Sequence, residues 1–80
     1  EIARNNIRVN AVSPGTINTP GVREYFKAEP KAKEMLEKSS LLRRIGEAEE
    51  VGELVSFLLS DRSSFITGQI ISVDGGASIN

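Results

Sequence analysis

The chain has 80 residues, 39% hydrophobic and 26% charged, with 10 basic against 11 acidic side chains and a formal net charge of −1. That balance argues against a disordered tail and leaves no basic run for a nucleic acid or an anionic membrane surface. With no cysteine and no histidine, the chain has no disulfide and no Cys/His metal site, and no apolar stretch approaches the roughly 20 residues that cross a bilayer. A core of this size is modest and unstapled. The expectation is therefore a cytoplasmic globular segment with no metal, nucleic-acid or membrane partner.

Glu1 to Arg4 reads as the last turn of a helix closed by Asn5-Asn6, which points to a fragment of a longer chain. Ile7 to Val12 is a short β-rich run ending at Ser13-Pro14-Gly15. Its apolar residues at both parities fit a strand buried on both faces, hence a parallel sheet. Thr16 to Gly21 is loop by composition. Val22, Tyr25 and Phe26 then have helical spacing, and Pro30 can open a second helix that places Ala32, Met35 and Leu36 on one side. Ser39 to Gly46 is a connection whose Arg43-Arg44 pair reads as a solvated loop. Residues 16–46 are expected to be the most mobile stretch, because their apolar faces are small.

The strongest helix comes next. Val51, Leu54, Val55, Leu58 and Leu59 form one continuous apolar stripe, with Glu47, Glu49 and Glu50 at the positive end of the helix dipole. Gly52 within it is expected to permit close packing against a neighbour. Ser60 to Ser64 ends the helix, Phe65-Ile66 is an apolar plug, and Gln69 to Val73 is a second strand closed by Asp74-Gly75-Gly76. The order strand, helix, helix, helix, strand predicts one right-handed βαβ crossover in an α/β fold. Asp74, Glu49 and Glu50 read as solvated or capping carboxylates. No histidine is present to activate a serine, so no Ser-His catalytic pair can form within the chain.

The stretch from Asn6-Ile7-Arg8-Val9-Asn10 through Ser13-Pro14-Gly15 to Ile17-Asn18-Thr19-Pro20 resembles the end of the short-chain dehydrogenase/reductase core. Arg44-Ile45-Gly46-Glu47-Ala48-Glu49-Glu50-Val51, Phe57 to Asp61, Ile66 to Gln69 and Val73-Asp74-Gly75-Gly76 are similar to that family's final helix, turn and strand. The likeness runs over essentially all 80 residues with order and spacing kept. Ala48 stands where many relatives have proline, and Gly52 where alanine is frequent.

The resemblance implies the C-terminal part of a Rossmann-type doubly wound parallel sheet, with residues 1–80 as a segment of one such domain. It implies an enzyme that interconverts an alcohol and a carbonyl with NAD or NADP, on a 3-oxoacyl, sugar or cyclic ketone type of substrate. In that reading Pro14 and Gly15 shape the wall beside the nicotinamide ring. The Ile17 backbone holds the carboxamide, and the Thr19 hydroxyl holds the carboxamide or the pyrophosphate. Residues 20–40 match the variable substrate loop, with Val22, Tyr25, Phe26 and Met35 weighed as pocket residues against simple helix packing. No catalytic residue is assigned within the chain: the family's Tyr-x-x-x-Lys pair is expected upstream, and Glu29 stands four residues after Tyr25. Val51, Leu54, Val55, Leu58 and Ile71 are expected at a subunit interface of a homotetramer or dimer. The competing reading is an isolated, inactive piece with a structural or assembly role.

Overall fold

A computed structural model describes residues 6–79; the helical turn expected over Glu1 to Arg4, with Asn5, lies outside the described residues. Strand β1 (Ala11–Pro14) pairs in parallel with β4 (Ile70–Val73), with Ala11 opposite Ile70 and Pro14 opposite Val73. Between them come β2 (Ile17–Asn18), α1 (Pro20–Ala28), α2 (Pro30–Ser39), β3 (Gly46–Glu47) and α3 (Ala48–Leu58). The parallel α/β arrangement follows the expectation, but the described residues form two two-stranded sheets, β1–β4 and β2–β3.

The first strand lies further along than the expected Ile7 to Val12. Its ladder opens with Ala11 N donating to Gln69 O (2.8 Å) and closes with Gly15 N donating to Val73 O (2.9 Å). Peptide groups alternate between the two sides of a strand, so the missing N–H of Pro14 falls on the edge away from β4, where it costs this pair nothing. Upstream, side chains replace the ladder. Val9 N donates to Thr67 Oγ1 (3.1 Å), and Asn10 donates from Nδ2 to Ile66 O (3.1 Å) while its Oδ1 accepts from Gln69 N (3.0 Å).

Arg8 closes the same corner. Its guanidinium donates to Leu58 O (3.0 Å), Ser60 O (3.1 Å) and Ile66 O (3.1 Å). Leu58 O and Ser60 O lie at and just beyond the C-terminal end of α3, where carbonyls lack helical partners and positive charge is favoured. Ser63, 1% exposed, adds a hydroxyl shared between Leu58 O (3.0 Å) and Ser60 O (3.1 Å).

The core is small. Phe26 and Leu58 are its buried apolar residues among those described. Val12, Ile71 and Val73 are half-buried and alternate with exposed Ala11, Ser13, Ile70 and Ser72, so one face of β1–β4 is covered and the other open. A radius of gyration of 15.6 Å, against about 12 Å for a compact chain of this length, agrees with that open face.

Three local expectations are corrected. Thr16 to Gly21 is not plain loop: β2 occupies Ile17–Asn18, and α1 starts at Pro20 rather than Val22 because Thr19 caps it and Pro20 pre-sets its first turn. Gly52 has no atom within 4 Å of its Cβ position among the described residues, so it serves no close approach here. Phe65 is fully exposed, and only Ile66 of the expected plug is half-buried. Pro30 opens α2 as expected, with Ala32 and Leu36 turned inward and Met35 outward. No described helix is long and apolar enough to cross a membrane.

Candidate functional site

Pro14 and Gly15 lie exposed at the carboxyl ends of the two paired strands, the place where open α/β sheets take ligands. Gly15 has a structural cause of its own. A Cβ there would sit 2.8 Å from Asp74 Cβ and 2.9 Å from Asp74 Cα, so the end of β4 already occupies the space a side chain needs. The expected cause, close approach of a cofactor, is thus joined by a second within the chain.

Ile17 follows on the short β2–β3 ribbon, opposite Gly46. Gly46 N donates to Thr16 O (2.9 Å), and the Glu47 N–H is taken by Glu50 Oε1 (2.9 Å). In a parallel ladder with that register, the peptide groups flanking Ile17 face β3, and its own N–H and C=O face the opposite edge. They are the groups a carboxamide would need. The side chain of Ile17 lies along Gly46, 3.0 Å from its Cβ position.

Thr19 is the N-cap of α1: its Oγ1 accepts from Val22 N (3.2 Å), and its carbonyl accepts from Arg23 N (2.9 Å). The hydroxyl proton is not used by that bond and stays available as a donor. Replacing Thr19 by Val keeps the shape and deletes the acceptor, with an expected cost of about 1 kcal/mol. Hydrogen exchange at Val22 in the full-length protein should quicken in Thr19→Val and stay near wild type in Thr19→Ser.

The excursion from Thr19 to Ile45 is closed at its base by the β2–β3 ribbon. Asn18 Nδ2 reaches Glu47 Oε1 (3.2 Å), and Arg23 donates to Asn18 Oδ1 (3.1 Å). Arg44 meets Glu50 with two parallel bonds of 2.8 and 2.9 Å, and Glu50 also accepts the Glu47 N–H at the start of α3. Arg44 first, and then the Glu47 N–H, hold the Glu50 carboxyl down at about 2. Glu50 is therefore a capping carboxylate as expected, yet it also carries a charge partner that the sequence reading did not assign.

The sign follows from the lowered value. The stabilisation is complete above the ordinary value of 4.5 and is lost as pH falls through about 2. Urea midpoints of the full-length protein should separate wild type from Glu50→Gln at pH 6 and converge near pH 2. An unchanged gap at both pH values would show that the pair does not stabilise the fold.

Of the expected substrate-loop residues, Phe26 is buried, Val22 half-buried and Tyr25 exposed. Phe26 lies on an open groove of about 690 Å³ with Ile45 and side chains of both charges, among them Arg23, Lys27, Lys33 and Arg44 against Glu37 and Glu47. A second cavity, of about 230 Å³, runs between Ile17, Gly46, Val73 and the Asp74–Gly76 turn. Pro14, Gly15, Ile17 and Thr19 follow one another from the end of β1 through β2 to the N-cap of α1. On the far side, Leu58 is buried, Val51, Leu54 and Ile71 are half-buried, and Val55 is exposed.

Arg8, Ser40 and Asp74 are the residues the sequence reading undervalued. Their bonds run to backbone groups distant in sequence or enclosed in a turn, and no periodicity signals such bonds. The paired glycines after Asp74 were the available signal for that turn.

Comparison with known proteins places this geometry. Residues 1–78 match the family described as enoyl-(acyl carrier protein) reductase. A tropinone reductase homolog of Arabidopsis thaliana is 49% identical over all 80 residues, which span 30% of that protein. A 3-oxoacyl-[acyl-carrier-protein] reductase of Thermotoga maritima is 49% identical over 76 residues, 95% of this chain and 30% of the relative. Among solved structures, an NADPH dependent reductase involved in bacilysin biosynthesis superposes with a TM-score of 0.87 at 37% identity, over 99% of this chain and 33% of that one. A 4-hydroxyisoleucine dehydrogenase complexed with NADH gives 0.87 at 30% identity, over 99% and 32%. The chain thus spans about a third of the length of the proteins it matches. It belongs to the short-chain dehydrogenase/reductase family and corresponds to the C-terminal portion of that family's Rossmann-type fold.

Proposed function

We propose that this chain is the part of an NAD(P)-dependent oxidoreductase that forms the nicotinamide-side wall and the substrate loop, acting on an alcohol/carbonyl pair of the 3-oxoacyl, sugar or cyclic ketone type. The observation that carries the reading is the run from Pro14 to Thr19 at the carboxyl end of the parallel pair. It combines an exposed turn, an Ile17 peptide facing away from its ladder and a Thr19 hydroxyl with a proton to give. The names of the relatives, among them a 3-oxoacyl reductase and an NADH-bound dehydrogenase, support it.

The bound cofactor supplies or accepts the hydride. The chain's own work is orientation. Pro14 and Gly15 bound one side of the ring, the Ile17 peptide groups hold the carboxamide, and the Thr19 hydroxyl donates to the carboxamide or the pyrophosphate, fixing which ring face meets the substrate. Val22, Tyr25 and Phe26 on α1 lie over the substrate side, with Phe26 also packing the loop. The face of α3 carrying Val51, Leu54 and Val55, with Ile71, contributes to a homotetramer or dimer, whereas Leu58, expected on that face, is buried within the chain.

The test is a fluorescence titration of the full-length protein with NADH and NADPH, followed by cofactor oxidation with a 3-oxoacyl thioester, a sugar and a cyclic ketone. Saturable binding that weakens in Thr19→Val supports the wall. Absence of binding to either nucleotide in the wild type defeats the reading and favours a purely structural role.

A further inference from the structure

The Asp74–Gly76 turn touches two parts of the candidate site that the chain does not join directly. On one side it is the surface against which Gly15 lies, within 2.9 Å of the Gly15 Cβ position. On the other it meets the leg by which the excursion returns from α2. Leu42 N donates to Gly75 O (3.1 Å). The Gly75 Cβ position faces Ser40 Cβ at 3.3 Å, and the Gly76 position faces Leu41 Cδ1 at 2.8 Å.

Between Ser40 and Arg43, ahead of the Arg44–Glu50 pair, that return leg has few other holds among the described residues. Leu41 and Leu42 are 52% and 63% exposed, so apolar burial does not fasten them. Ser40, 4% exposed, ties the leg to itself: its Oγ donates to Arg44 O (3.0 Å) and accepts from Arg44 N (3.2 Å). Its attachments to the body of the fold are the Gly75 carbonyl and the two glycine contacts at residues 40–42, followed by the Arg44–Glu50 pair and the Gly46 N to Thr16 O bond where the leg ends.

The turn is held by the Asp74 side chain together with the backbone bonds from Ala77 N to Asp74 O (3.1 Å) and from Ile79 N to Gly76 O (3.2 Å). Asp74 Oδ1 accepts from Gly76 N (3.0 Å) and Oδ2 from Ser78 N (3.0 Å). Gly75 at φ 61° and Gly76 at φ 87° adopt backbone conformations that a Cβ disfavours. The Ser78 side chain first, and the Gly76 backbone N–H second, keep the Asp74 carboxyl below its ordinary value, so it accepts both N–H groups as a carboxylate.

We propose that Asp74 is a positioning residue for the substrate loop: its carboxylate fixes the Gly75–Gly76 turn, and that turn latches the loop's return leg to the wall beside Gly15. The proposal rests on the reading of residues 20–40 as the substrate loop, with the connection after them as its return leg, and adds a residue that acts through the turn rather than by touching substrate or cofactor. Loop placement and cofactor binding are then separable by substitution. Asp74→Ala keeps the Cα and Cβ that meet Gly15 and removes only the two acceptors.

The experiment is hydrogen–deuterium exchange with peptide resolution on the full-length protein, wild type, Asp74→Ala and Asp74→Asn, beside titrations with NADH and NADPH. In Asp74→Ala, exchange across residues 40–45 should rise at least about tenfold while α3 and β1 stay within about twofold. Cofactor affinity should stay within about threefold, and Asp74→Asn, which keeps one good acceptor, should be intermediate. Should Asp74→Ala fail to fold, Asp74→Asn decides, with about threefold faster exchange confined to residues 40–45. Unchanged exchange there overturns the latch. So does equal acceleration throughout α3 and β1, which marks general destabilisation, and so does a loss of cofactor affinity matching the loop effect. Failure of the wild type to bind either nucleotide would instead defeat the proposed function, and the exchange pattern would still decide the latch.

Discussion

Replacing Arg8 by alanine is expected to lower the stability of the full-length protein by about 3 kcal/mol, the largest effect of any single side chain considered. The half-buried guanidinium donates to three carbonyls, Leu58 O, Ser60 O and Ile66 O. Bonds from a charged donor contribute about 1.5–3 kcal/mol each when deleted singly, and three on one group act as a unit rather than additively. The loss also strips positive charge from the C-terminal end of α3. Arg8→Lys should recover only part, because an ammonium is a point charge and cannot span three acceptors in one plane. Urea denaturation of the three proteins checks this. A change below about 1 kcal/mol in Arg8→Ala would mean that water replaces the guanidinium at those carbonyls.

Gly15→Ala is expected to act on stability and binding together. The new methyl would meet Asp74 Cβ at 2.8 Å and Cα at 2.9 Å. The Cα is backbone in a turn pinned by two hydrogen bonds, so it yields poorly. Overpacking of this kind costs about 1–3 kcal/mol. Because the strain is released by moving Pro14 and Gly15 off the end of β4, affinity for NADH or NADPH should fall about tenfold in the same variant, a shift of about 1.4 kcal/mol. Thermal denaturation and fluorescence titration of one preparation measure both. Normal stability with weakened binding would place the role of Gly15 wholly in cofactor approach. Lost stability with normal binding would separate this wall from the nucleotide.

The long apolar stripe of α3, the parallel strand pair and the helix opened by Pro30 were all readable in the sequence. Each rests on a repeat or a single stiff residue whose effect is local. The two-residue strands were not readable, since Ile17–Asn18 and Gly46–Glu47 are too short to carry a period. The first strand was placed too early for a related reason. Ile7 and Val9 have strand composition, but the peptide groups of Val9 are taken by Thr67 and Gly68. At the site, Pro14, Gly15, Ile17 and Thr19 were found through the family likeness. What that likeness did not disclose is that Gly15 faces Asp74 and that Thr19 caps α1. Both facts depend on where distant or following backbone comes to lie.

The narrow neck at β2–β3 has one more consequence. The ribbon is parallel, so the 25 positions between Thr19 and Ile45 leave from one end of a two-residue pair and return at its other end, a span of only a few residues of the scaffold. Doubling the length of such an insert adds only about 0.6 kcal/mol of closure entropy. The segment is therefore an exchangeable cassette. Sequences of different length and chemistry can be grafted between the same two ends without redrawing the sheet, provided the graft restores the Ser40 knot and an amide at position 42 for the carbonyl of Gly75.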